Sequence, residues 1–98
     1  MNLKELFEAV REESLTKDKL EDYHKALSEL RGQMRLELAD ITKKKAVFML
    51  GNPEQSVAQR KINWSAGKEG QREIDLKAYI GATSDNLGSV KSRLFSIY

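Results

Sequence analysis

The chain has 98 residues, enough for one domain with one core. Charged residues make up 33% and hydrophobic ones 40%, with six glycines and one proline, which excludes collagen-like and disordered classes and fits a folded helical protein. Absence of cysteine excludes disulfides and thiolate metal sites, and the net charge of +2 is too small to mark a partner. The longest apolar run is Ala46–Leu50 and charges stand at Lys4 and Glu5, so neither a membrane span nor a signal peptide is expected and a cytoplasmic location follows.

In chain order, Asn2 with Glu5 three residues on reads as a helix N-cap, and Leu3, Leu6, Phe7 and Val10 then share one helical face, predicting a short helix over about 3–13. Thr16 is a good N-cap for a second helix over about 16–50. Its apolar positions Leu20, Tyr23, Leu27, Leu30, Met34, Leu38, Ile41 and Phe48 recur mostly every three or four residues, the seam that helix pairs require. Gly51-Asn52-Pro53 is the strongest punctuation: glycine for a C-cap, Asn52 as the next N-cap and Pro53 in the first turn of a helix over about 53–66. Gly67 and Gly70 weaken the pattern and leave open whether that helix continues into the last one, over about 71–97. There Leu76, Ile80, Leu87, Val90, Leu94 and Ile97 repeat the seam, interrupted by Thr83.

Beside that seam runs a stripe of small residues, Ala78, Gly81, Asp85, Gly88 and Ser92, which predicts either the close approach of another helix or a tolerated bend. A helix over 16–50 would be about 50 Å long, so the expected fold is all-α: an elongated antiparallel helical hairpin or small bundle with coiled-coil-like seams. Such a hairpin buries little apolar surface alone. A homo-oligomer or obligate binder is therefore expected, with Leu20, Tyr23, Leu27, Leu30, Met34, Gly81, Gly88 and Leu94 at the interface. The terminal Phe95, Ile97 and Tyr98 are expected to dock rather than fray.

Catalytic patterns are absent. The single histidine, His24, has Asp18 and Asp22 within helical reach but no nucleophile or second ligand, and reads as a solvated helix-face residue. The carboxylates Asp18, Glu21, Asp22 and Glu29 read as the wet side of a helix. Gly67-Lys68-Glu69-Gly70 lacks the spacing of a phosphate loop, and no Gly-x-Ser-x-Gly elbow occurs. No enzyme, cofactor or metal is expected.

Basic residues with interspersed aromatics remain. Residues 1–40 hold seven Lys/Arg against ten Asp/Glu, and residues 41–98 ten against five. This asymmetry fits either a basic surface for nucleic acid or two helices of complementary charge. Lys43, Lys44, Lys45, Arg60, Lys61, Lys68 and Arg72 could neutralise phosphates, and Trp64 could stack on an unpaired base, although a core anchor is the commoner role of such a tryptophan.

The stretches Leu3–Lys25, Arg35–Leu50 and Lys91-Ser92-Arg93-Leu94-Phe95-Ser96-Ile97, roughly half the chain, resemble the small recombination mediator proteins of T4-type bacteriophages. The resemblance implies a helical hairpin that assembles into a ring and binds single-stranded DNA and proteins, with Lys43, Lys44, Lys45, Lys91 and Arg93 as matching basic positions. The expected function is a non-enzymatic, oligomeric accessory protein of DNA recombination or replication. The competing expectation is a protein-interaction module, such as a scaffold or a phage-encoded inhibitor of a host defence nuclease. Salt-sensitive binding belongs to the first, and binding through apolar anchors to the second.

Overall fold

The computed structural model of the chain describes residues 2–12, 15–51 and 53–97. Among these residues there are four α-helices and no strand: α1 (Leu3–Val10), α2 (Lys17–Leu50), α3 (Val57–Ala66) and α4 (Lys68–Ile97). The all-α expectation holds.

Local chemistry sets the helix ends. Asn2 accepts from the Glu5 backbone N–H at 2.9 Å while the Glu5 carboxylate reaches back to the Asn2 N–H, so two otherwise orphan donors are satisfied. Arg11 closes α1, earlier than residue 13; Glu13 lies outside the described residues. The Thr16 hydroxyl accepts from the Lys19 N–H at the start of α2.

The third helix departs from expectation. Pro53–Gln55 form a turn and Ser56, whose hydroxyl accepts from the Gln59 N–H at 3.1 Å, is the N-cap; Asn52 lies outside the described residues. Arg60 explains the delay. Its guanidinium donates to the Met49 carbonyl at 2.6 Å and twice to the Gln55 carbonyl, at 3.0 and 2.8 Å. One side chain thus ties the end of α2 to the connecting turn, and the turn needs those residues. At Gly67 the backbone is extended, with φ −79° and ψ 165°, so α3 and α4 are separate helices and α4 begins at Lys68 rather than Gln71.

Contacts divide the chain into two compact units, residues 1–33 with 80–98 and residues 34–79. In the first, Leu6 and Val10 of α1, Leu20 and Leu27 of α2, and Leu87 and Val90 of α4 form the buried core. Tyr23, Leu30 and Leu94 pack around it. Thr83 is also buried, so the interruption in the α4 seam occupies a core position. Arg93 donates from α4 to the Val10 and Glu12 carbonyls, satisfying backbone acceptors that the end of α1 leaves open.

In the second unit Ile41, Trp64 and Leu76 form the core, with Met34, Leu38 and Phe48 against it. Phe48 and Trp64 meet at a ring-centroid distance of 5.5 Å, tilted by 53°. Glu37 pairs with Arg72 and the later Lys44 with the earlier Glu69, so α2 and α4 run antiparallel in this unit.

The three-four seams are therefore occupied inside the chain. Leu20 and Leu27 are buried in the first unit's core with Tyr23, Leu30 and Leu94 partly buried around it, and Met34 packs on the second unit's core, so these residues have partners within the chain itself. Gly81 and Gly88 are exposed, and a β-carbon at either would meet nothing within 4 Å, so no helix of this chain approaches them closely. Phe95 is not docked: it is 69% exposed. Tyr98 lies outside the described residues.

Candidate functional site

The proposed phosphate contacts separate into engaged and open cations once the 34–79 unit is in view. Lys45 meets the buried carboxylate of Glu73 at 3.1 Å, and Lys77 lies 4.0 Å from the same oxygen. Burial makes that pairing necessary, since Glu73 is 7% exposed and an isolated charge there would be costly. Lys44 sits between Asp40 at 3.3 Å and Glu69 at 3.8 Å. Arg72 forms a two-pronged hydrogen bond with Glu37, at 2.8 and 3.0 Å. That bond, together with the guanidinium charge, holds the Glu37 carboxyl below the usual carboxylate range.

Four of the seven basic residues thus have internal work: Lys44, Lys45 and Arg72 in a charge ladder between α2 and α4, and Arg60 in the turn. Lys43, Lys61 and Lys68 are exposed. Trp64 is 6% exposed, with its ring in the core, so it is an anchor and its face is closed to a base. Its indole N–H is buried without a hydrogen-bond partner among the described residues. Residues 34–79 carry nine Lys/Arg and six Asp/Glu, a net of +3 that remains after the ladder's acids and bases are paired, since both are already counted in it.

The outward faces of the same unit carry large hydrophobic side chains among their polar ones, at positions where solvent-facing helix residues are normally polar. Leu36 is 74%, Val47 72% and Leu50 81% exposed, all on the side of α2 turned away from Ile41. Val57 and Ile62 on α3 and Ile74 on α4 are also more than half exposed. A sequence search for seams misses the α2 face because its intervening members are Ala39, Lys43 and Ala46, too small or too polar to register as hydrophobic periodicity.

In the other unit, His24, Lys91, Leu94 and Phe95 line an open groove of about 300 Å³. The Lys91 ammonium stands 5.9 Å from the centre of the Phe95 ring. His24 therefore borders an apolar trough. No group of three or more His, Asp or Glu among the described residues could hold a metal ion, and no helix among them is long and apolar enough to cross a membrane.

No protein-family model, curated protein or solved structure matches the chain. The functional reading therefore rests on surface chemistry alone.

Proposed function

We propose that this chain is a non-enzymatic protein-binding module that works through the apolar outward face of its 34–79 unit. The carrying observation is the exposure of Leu36, Val47 and Leu50 on one side of a helix whose opposite side already holds the core. Three large aliphatic side chains left in water at that density cost hydration free energy that a protein partner would recover, at about 25 cal/mol per Å² buried. The basic residues that would serve a phosphate backbone are mainly paired with carboxylates or carbonyls of the same chain, which weighs against single-stranded DNA as the principal ligand.

The experiment is a capture comparison at low and high salt. The immobilised chain and a Leu36→Glu, Val47→Glu, Leu50→Glu variant are offered a cell extract and, separately, a labelled single-stranded oligonucleotide. Protein retained at high salt by the first and not by the variant supports the reading. Oligonucleotide retained equally by both and released by salt, with no protein difference, overturns it in favour of a DNA accessory role.

A further inference from the structure

We infer that two copies of this chain pair antiparallel along the outward side of α2, through Leu36, Ala39, Lys43, Ala46 and Leu50. The inference rests on the protein-binding reading and specifies the occupant of that face as the same face of a second copy.

The first ground is spacing. These five residues follow one another at intervals of three, four, three and four, the repeat of a coiled-coil seam, and all are exposed. At about 100° per residue they lie on the side of α2 opposite Ile41, so pairing there leaves the core undisturbed. The five residues span about 21 Å of α2 within the 34–79 unit, and in the pairing set out below the last of them, Leu50, falls on the exposed Gly32 of the second copy.

The second ground is shape. Every member of one row is long, Leu36, Lys43 and Leu50, and the members of the other row, Ala39 and Ala46, are small. Antiparallel pairing sets each row against the other, so Leu36 falls on Ala46 of the second copy and Lys43 on Ala39. Parallel pairing sets each row against itself: alanine would face alanine across a gap and two Lys43 ammonium groups would meet. Bulk over gap, with the two Lys43 ammonium groups set about 6 Å apart along the axis rather than directly opposed, selects the antiparallel arrangement.

The third ground is charge. In the register that places Leu36 on Ala46, Asp40 of one copy stands about one residue along the axis from Lys43 of the other, twice by symmetry. Lys43 is exposed and makes no ion pair among the described residues, whereas Lys44 and Lys45 are both paired within the chain; Asp40, already 3.3 Å from Lys44 but 66% exposed, has room for this second cation. Shifting the register by seven residues keeps long against small but moves Lys43 about 9 Å along the axis from Asp40, so the charges fix which of the two is used.

Sedimentation velocity over micromolar concentrations is expected to show the 11.2 kDa chain rising to twice that mass. The Leu36→Glu, Leu50→Glu variant should stay at monomer mass with unchanged helical circular dichroism. Orientation is read with single cysteines, which report cleanly because the chain has none. A mixture of Leu36→Cys and Ala46→Cys chains should oxidise to a disulfide-linked pair. Leu36→Cys alone should not, since its two copies lie roughly 15 Å apart along an antiparallel seam, beyond disulfide reach.

A wild-type monomer at all these concentrations, a dimer indifferent to the glutamates, or efficient self-linking of Leu36→Cys overturns the inference. The capture experiment distinguishes its failure from that of the broader reading. A monomeric chain that still retains other proteins through Leu36, Val47 and Leu50 leaves the protein-binding reading standing, and one that retains none removes both.

Discussion

The α-carbon of Gly70 lies directly against the carbonyl of Trp64: a β-carbon there would overlap the carbonyl oxygen and stand 2.6 Å from the carbonyl carbon. It would also lie 2.8 Å from the Ser65 α-carbon. These are backbone atoms, so no rotamer change relieves the clash. Gly70→Ala should force α3 and α4 apart and destabilise the protein by about 1–3 kcal/mol. Gly81→Ala, whose new methyl meets open space, should stabilise it by about 0.5–1 kcal/mol through helix propensity. Urea unfolding of the pair measures both signs, and a stabilising Gly70→Ala would contradict the packing described.

The same two glycines show what a sequence reveals. Helix spacing located the α2 and α4 seams because their core positions are large and apolar over many turns, from Leu20 to Phe48 and from Leu76 to Leu94. Glycine carries no such signal: Gly70 is required by a contact, a β-carbon at Gly81 or Gly88 would meet nothing within 4 Å, and all three look alike in sequence. The start of α3 was misplaced for a related reason. Pro53 is a favourable first helical residue, but the reach of Arg60 back to Met49 is a tertiary fact with no local marker. Among the candidate contacts, residue type marks the cations, but only partners elsewhere in the fold decide which are engaged within the chain. The outward α2 face was illegible because alanine and lysine supply most of its spacing.

Lys45 and Lys44 are neighbours with unequal burdens. Lys45→Met leaves buried Glu73 with only the longer contact to Lys77, and is expected to destabilise the protein by about 1–3 kcal/mol. Lys44→Met removes an exposed pair of contacts and should change stability by less than about 1 kcal/mol. Thermal unfolding of the two variants side by side checks the ranking; equal effects would mean that burial of Glu73 is not what makes the pairing matter.

Arg93 joins α4 to the end of α1 through two backbone carbonyls. Arg93→Met keeps much of the aliphatic stem but loses both donated bonds, with an expected cost of about 1–3 kcal/mol. Arg93→Lys should recover only part of it, because one ammonium does not reproduce the guanidinium fork. Hydrogen exchange should quicken first at Leu6–Val10. Uniform quickening across the whole chain would argue against a local clasp.

Glu37 gives a pH signature. Its hydrogen bond from Arg72 lowers the carboxyl pKa in the folded chain, so the unfolded chain takes up this proton more readily. The resulting stabilisation is complete above the unfolded carboxylate pKa and is lost as pH falls through the lowered folded value. Glu37→Gln should therefore lower stability near neutrality and flatten the acid limb, the two converging as pH falls, with a small amplitude because the pair is exposed. Urea midpoints from about pH 6 down to about pH 3 test this, and an unaltered acid limb would show that the pair contributes nothing.

The two units differ in how their chain is gathered. Residues 34–79 form one uninterrupted stretch, so Ile41, Trp64 and Leu76 can meet as soon as that stretch exists. The other core draws on both ends, and the bond from Arg93 to Val10 closes a loop of 83 residues. Closing the larger loop before the inner stretch has folded carries more chain entropy than closing it afterwards. During synthesis Leu6 and Val10 of α1 and Leu20 and Leu27 of α2 therefore wait for their α4 partners, Leu87 and Val90, to leave the ribosome and complete the core.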